Sequence, residues 1–455
     1  MKNDHPNVIV FFTDQQRWDT TSIHGNPLQL TPNFDRMATE GTHLFNSFTC
    51  QPVCGPARSC LQTGRFATET GVWKNGAALD TELPTLATIF GAAGYQTGYI
   101  GKWHLSSAGN GMVPPEQRAG YDDWLASNIL EFTSDAYQTV MYNQAGEEVR
   151  LPGYRVDALT DSAIRYVHNR SKEDHPFFLF TSFLEPHFQN SRDDYPAPTG
   201  YQDRYTGSWI PPDLGSLVGT SHQHLPGYYG MVKRIDEALG RLFDALKSLD
   251  LLQSTIVLFT SDHGCHFKTR NNEYKRSCHE SSIRVPTALT GPGFNSGGRI
   301  QQLTSLIDLP RTLIEAAGLD APEKMRGDSI CPLISNSEIR ENWDSSVFVQ
   351  ISESQVGRAI RTQRWKYSVF APDINGKSQA KADHYEEQYL YDLKADPYEL
   401  NNLVGSIEHK KVSTLLKQKL LNYIGEVEGE KPIIKEANSK NIPGLSIKET
   451  DLIDL

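Results

Sequence analysis

Four short apolar segments of this chain each end on residues able to bind a cation or move a proton. Residues 7–13 lead into Asp14 and Gln15, and 96–100 into Lys102 and His104. Residues 177–183 lead into Glu185 and His187, and 255–261 into Asp262 and His263. Asp14, Gln15, Asp262 and His263 offer three oxygens and one nitrogen. Mainly hard donors suit Ca2+ or Mg2+ better than zinc or copper. Helix N-capping is the ordinary alternative for an Asp that follows a strand. Four such endings at one sheet edge favour a shared site over four solvated loops.

The segment Cys54-Gly-Pro-Ala-Arg58-Ser-Cys60-Leu61-Gln-Thr63-Gly64-Arg65 places a cysteine at the head of an expected helix. The positive end of the helix dipole and Arg58 one turn later would both lower the thiol pKa and hold an anion. An inert buried cysteine is the bland alternative. Three of the six cysteines (Cys50, Cys54, Cys60) crowd together, the others being Cys265, Cys278 and Cys331. That is no disulfide scaffold, and only Cys50/Cys54 approaches a zinc spacing.

These residues must be positioned by the elements around them. The four apolar segments read as strands buried on both faces. Helices are expected over 32–40, where Pro32 takes the first position, and over 84–93, 154–169, 227–248 and 305–317. Alternation of this kind predicts a mostly parallel sheet covered on both sides. Ligands of such sheets lie at the carboxyl ends of the strands. Beyond about residue 340 come short strand signals at 347–352, 358–361 and 365–370 and a helix at 410–424. They predict a smaller α+β unit with an antiparallel sheet. We therefore divide the chain into 1–340 and 341–455. Residues 193–214 read as a long binding loop, and the last twenty-five residues as a polar tail.

Taken together, these motifs resemble the formylglycine-dependent (type I) sulfatases of the alkaline phosphatase superfamily, and in particular the bacterial enzymes acting on polysaccharides. The Cys54–Arg65 segment resembles their Cys-x-Pro-Ser/Ala-Arg … Leu … Thr-Gly-Arg signature. Thr13-Asp-Gln-Gln-Arg17, Thr31-Pro-Asn-Phe-Asp-Arg36, Gly101-Lys-Trp-His104, Pro186-His187, Ser261-Asp-His-Gly264, Lys275-Arg276 and Asp396-Pro-Tyr-Glu-Leu-Asn-Asn-Leu403 follow in the family's order. The resemblance implies an alkaline-phosphatase-like α/β/α sandwich. It also implies that a separate formylglycine-generating enzyme oxidises Cys54 to 3-oxoalanine. Asp14, Gln15, Asp262, His263 and residue 54 would bind Ca2+, with Mg2+ as the alternative. Arg58, Lys102 and Lys275 would surround the sulfate, His187 would protonate the leaving alcohol and His104 would accept a proton from the hydrate. Gln15 and His263 stand where many relatives have Asp and Asn, and Ala57 where Ser is commoner. The lost carboxylate predicts weaker metal binding.

His24, His266, Arg270 and His279 lie close in sequence to these motifs and are candidates for holding the substrate. Trp103, Tyr201, Tyr205 and Trp209 could stack on sugar rings, although core packing is the default for aromatics. The expected partner is a sulfated oligo- or polysaccharide. A net charge of −11 argues against nucleic acid. No segment has the length of a membrane span, and residues 8–12 are too short for a signal peptide core. The resemblance implies a periplasmic or secreted enzyme, with a cytoplasmic one left open, and leaves a homo-oligomer open. A phosphonate monoester or phosphodiester hydrolase of the same superfamily, a non-catalytic binder of sulfated glycans and a thiol hydrolase are the competing readings.

Overall fold

The computed structural model describes residues 5–441 and 447–452. Its centre is a ten-stranded sheet. The strands in chain order are β1 (Asn7–Thr13), β2 (Thr42–Phe48), β3 (Gln96–Lys102), β4 (Asp123–Ser127), β5 (Thr139–Tyr142), β6 (Glu148–Leu151), β7 (Phe177–Ser182), β8 (Thr255–Ser261), β9 (Ala288–Thr290) and β10 (Gly298–Ser305). Their spatial order is β10-β2-β9-β8-β1-β7-β3-β4-β5-β6. The four strands expected from sequence, β8, β1, β7 and β3, are therefore neighbours at the centre. They pair in parallel, with Val8 opposite both Phe178 and Ile256.

Strict side-chain alternation turns each central strand into a wall between two cores. Val8, Val10, Phe12, Phe178, Phe180, Ile256 and Leu258 join one. Helices Cys54–Thr63, Leu86–Ala92 and Asp308–Ala316 cover it through Leu61, Phe90 and Leu313. Ile9, Phe11, Phe177, Leu179, Val257 and Phe259 face the other. Helices Pro32–Glu40, Arg155–Arg170 and Ser221–Ser248 cover that side through Phe34, Leu159 and Leu239. Each such side chain contributes about 1.5–3 kcal/mol on burial, which makes the centre of the sheet a stiff platform.

The second sheet runs β11 (Ser346–Ile351), β12 (Val356–Thr362), β13 (Trp365–Ala371) and β14 (His384–Asp392) as an antiparallel meander, and β15 (Ile433–Lys435) joins parallel to β14. Helix Lys410–Glu428 buries Val412, Leu416, Leu420 and Ile424 with Ile360, Trp365 and Tyr367 of this sheet. Cys50, Cys60 and Phe66 enter the same core, so the helix that starts at Cys54 is gripped by both sheets.

Several expectations are corrected. Residues 193–214 are not one loop but contain helices Tyr201–Tyr205 and Pro212–Ser216, the first packed on the long helix Ser221–Ser248. That long helix begins ahead of Gly227 and continues through Pro226, whose helix-breaking signal misplaced its start. Ser305 closes β10, and the helix expected there begins at Asp308. The tail, by contrast, wraps onto the fold as its polar sequence suggests: Trp365 Nε1 donates to the carbonyl of Asp451 at 3.1 Å. Residues 442–446 and 453–455 of that tail lie outside the described residues.

Candidate active site

The ends of β8, β1, β7 and β3 and the head of helix Cys54–Thr63 converge on one buried cluster. Cys54 is the first residue of its helix and 1% exposed. Its Sγ lies 2.8 Å from Lys275 Nζ, 3.3 Å from His263 Nε2 and 3.5 Å from Asp14 Oδ1. Arg58, four residues on, donates to Asp14 Oδ2 at 2.9 Å, to the Lys102 carbonyl at 2.9 Å and to Ser182 Oγ at 2.6 Å. Lys102 Nζ sits between Asp14 Oδ2 and Glu131 Oε1, 2.8 Å from each. Gly101 allows the strands to close behind it, since a Cβ there would meet the Ser182 carbonyl oxygen at 1.8 Å. On the far side Lys275 Nζ donates to His187 Nε2 at 3.1 Å.

The charges are mutually supported. Burial pushes the Cys54 thiol up, but Lys102, Lys275 and His263, with a hydrogen bond from His104, hold it well below the usual thiol range. Burial and Cys54 likewise raise the Asp14 carboxyl, yet Lys102, His187 and Lys275 bring it far below the carboxylate range. Asp262 goes the other way: burial, Asp14 and Cys54 raise it more than Arg58 and Lys275 lower it. The His263 imidazole is pushed down to about 4 by burial and Lys275. Its Nδ1–H donates to the Gly264 carbonyl at 2.9 Å, which leaves a lone pair on Nε2 facing Cys54.

The donor set fits a divalent cation. Asp14, Cys54, Asp262 and His263 present ligand atoms within 4.8 Å of one another, all buried. Asp262 Oδ2 and Gln15 Oε1 are buried with no hydrogen-bond partner. The Gln15 amide is oriented by its own nitrogen, which donates to Tyr195 Oη at 2.9 Å and reaches Cys265 Sγ at 3.6 Å. Asp14 and Asp262 cap no helix. Asp262 Oδ1 instead accepts the backbone N–H of Gln15 at 2.9 Å and of His263 at 2.8 Å, tying β1 and β8 together at their ends.

The four candidates for substrate contact are occupied with the protein itself. His24 Nε2 meets the Phe45 carbonyl at 3.2 Å, and His266 Nε2 the Lys275 carbonyl at 2.9 Å. Arg270 donates to the carbonyls of Tyr398 and Glu399, and His279 lies between Ser277 and Tyr391. Trp103 is a fully buried core residue, and Tyr205 packs beside Tyr229. Sequence reasoning missed Glu131. It follows β4, a strand too short and mixed (Asp-Trp-Leu-Ala-Ser) to announce itself.

Residues 6–319 match the Sulfatase family, and residues 272–426 match the family described as N-sulphoglucosamine sulphohydrolase, C-terminal. The chain is 30% identical over 440 residues to an ulvan-active sulfatase of Formosa agariphila, covering 93% of this chain and 82% of that protein. It superposes on the structure of BT4656 in complex with its substrate D-glucosamine-2-N,6-O-disulfate with a TM-score of 0.76. There the identity is 25%, and the match covers 94% of this chain and 99% of the other. The phosphonate monoester hydrolase of Agrobacterium radiobacter superposes at 0.69 with 24% identity, covering 92% and 96%, a likeness of fold. The α/β sandwich and its buried site are those of a sulfuric ester hydrolase. The chain belongs to the sulfatase family.

Proposed function

We propose that this sulfatase removes sulfate from a sulfated oligo- or polysaccharide, using residue 54 as formylglycine beside a Ca2+ or Mg2+ ion. Asp14, Gln15, Asp262 and His263 would hold the ion. The observation that carries this reading is the buried four-residue cluster, together with the buried oxygens of Asp262 and of neighbouring Gln15 that lack a hydrogen-bond partner. As the aldehyde hydrate, residue 54 would supply an oxygen nucleophile for sulfur, with the cation lowering that hydroxyl's pKa.

The chain's own residues do the rest. Arg58, Lys102 and Lys275 bring three positive charges to the sulfate oxygens from different sides, where charge builds in the transition state. His187, its Nε2 3.1 Å from the Lys275 ammonium, would protonate the departing sugar oxygen once it carries a proton on Nε2 as the imidazolium. His104, which helps lower the Cys54 thiol, would accept the proton whose loss frees the sulfate. Carbohydrate as the leaving group is supported by the relatives: ulvan for one, a glucosamine disulfate for another.

The decisive experiment incubates protein co-produced with a formylglycine-generating enzyme with defined sulfated oligosaccharides, an aryl sulfate and an aryl phosphonate. Sulfate release from at least one oligosaccharide, and faster turnover of aryl sulfate than of phosphonate, is expected. A large preference for phosphonate would move the chain to the rival activity. A thiol persisting at residue 54 in active protein would overturn the nucleophile.

A further inference from the structure

We infer that Glu131 is a positioning residue of the site, holding the Lys102 ammonium in place and fixing which ring nitrogen of His104 carries the proton. The inference rests on the sulfatase reading of the cluster and adds a residue to it.

Glu131 lies on a single helical turn, Leu130–Thr133, and is 3% exposed. Its Oε1 is 2.8 Å from Lys102 Nζ and 3.9 Å from His104 Nδ1. Two buried atoms here lack any hydrogen bond: Glu131 Oε2 and His104 Nδ1. One is an acceptor, the other can carry a proton, and they belong to groups already side by side. A shift on the order of 1 Å brings such a pair to bonding distance. With its proton on Nδ1 and directed to the carboxylate, the imidazole presents the Nε2 lone pair to residue 54. This is the arrangement in which a buried carboxylate orients a histidine base and stabilises the imidazolium formed when Nε2 takes a proton.

The backbone supports the pairing. His104 is held at φ +61°, a left-handed conformation rare for a residue with a side chain, and its N–H donates to the Asn128 carbonyl at 2.8 Å. Asn128 and Glu131 share one short segment. That segment is pinned from below by Gln189, whose amide donates to the carbonyls of Glu131 at 2.8 Å and Ser134 at 2.9 Å. Asp14, the other partner of Lys102, also belongs to the cation-binding cluster. Glu131 is then the carboxylate left to anchor the ammonium when Asp14 turns to an ion.

The test is Glu131→Gln, which keeps the shape and an oxygen acceptor for Lys102 but removes the charge. Loss of an orienting partner of this kind typically lowers activity about 10–100-fold. That loss is expected in kcat, with KM little changed. A second readout is independent of turnover: 15N NMR of histidine-labelled mature protein should show His104 protonated on Nδ1 in the wild type and lose that preference in E131Q. Wild-type kcat in E131Q, or the same tautomer in both proteins, would overturn the inference. If E131Q fails to fold, the wild-type spectrum decides, since a proton on Nε2 there is incompatible with the proposed role. A wild type inactive on every sulfate ester would instead sink the sulfatase reading, and the tautomer would still be measured.

Discussion

Replacing Lys275 should separate chemistry from stability at this site. The Lys275 ammonium is 2.8 Å from Cys54 Sγ and 3.1 Å from His187 Nε2, and among the described residues no carboxylate is within ion-pair distance of it. Lys275→Met keeps the length and apolar stem of the side chain and leaves Asp14 with its Arg58 and Lys102 partners. Two unit charges 4 Å apart interact by about 4 kcal/mol at an effective dielectric of 20. Removing one preorganised donor from a developing oxyanion costs about 2.7–4 kcal/mol in measured cases. The two figures agree on a loss of roughly 10²–10³ in kcat. Arg58→Ala is the contrast. Arg58 holds Asp14 at 2.9 Å and lies 3.6 Å from Asp262, both fully buried. Its removal should lower turnover by more than about a hundredfold and also destabilise the fold by about 3–5 kcal/mol, the usual result of leaving a buried charge uncompensated. Steady-state assays on an aryl sulfate, paired with denaturant melts of the same samples, read both quantities. K275M retaining more than about a tenth of wild-type kcat, with residue 54 fully converted, contradicts the preorganisation argument.

Two further outcomes are expected. Adding Ca2+ or Mg2+ to chelator-treated protein should raise its stability, by about 4 kcal/mol at a thousand times the dissociation constant; Gln15→Ala should shift that titration to higher metal concentration, and a titration identical to wild type would remove Gln15 from the ligand set. Asp308 gives the pH dependence: burial pushes its carboxyl up to about 7 from 3.8, although it accepts backbone N–H groups from Ser305 and Asp328. The folded state therefore keeps a proton that the unfolded chain has lost. Stability falls as pH rises from about 4 to about 7 and stays lower above it, by at most about 1.4 kcal/mol per pH unit within the window. Asp308→Asn removes this slope but also one acceptor. Its deficit against wild type in urea melts should be larger at pH 5 than at pH 8, and a deficit independent of pH would refute the assignment.

What could be read from the sequence follows from where each signal resides. The central strands announce themselves because burial on both faces leaves an unbroken apolar run, as in Val8–Phe12, and the chemistry sits immediately after each run. Asp14, Lys102, His187, Asp262 and His263 were legible for that reason, whereas Cys54 was marked by its place at a helix head beside Arg58 and Lys275 by the family resemblance alone. β2 (Thr-His-Leu-Phe-Asn-Ser-Phe) was not legible. It lies near the sheet edge between β10 and β9, where polar residues such as Asn46 bond across to the Gln301 carbonyl. Glu131 and Tyr195 were hidden for another reason. Their roles come from tertiary contact with Lys102 and Gln15, and nothing in their local spacing marks it. For the histidines near the motifs, proximity in sequence says nothing of their partners: His24 and His266 meet backbone carbonyls, and His279 meets the hydroxyls of Ser277 and Tyr391.

Some departures from ordinary folding rules lie at the site itself. Gln15, His104 and Arg276 occupy left-handed backbone conformations at φ 68°, 61° and 66°, and each lies on or next to an assigned residue. Asp262 is an acid raised by burial, Asp14 and Cys54, and Gln15 Oε1 and Asp262 Oδ2 are buried without a hydrogen-bond partner. Backbone strain of this type costs about 1–3 kcal/mol per residue, and an unsatisfied buried polar atom costs about 1–3 kcal/mol more. A chain selected for stability alone would relax them, for instance with glycine at 15 and an apolar residue at 262. The two cores flanking β8, β1, β7 and β3 supply enough burial to hold the arrangement in place. A cation bound as proposed would give both oxygens a partner and lower the Asp262 carboxyl. On that proposal, part of the metal affinity comes from buried polar atoms that the protein alone leaves without hydrogen bonds.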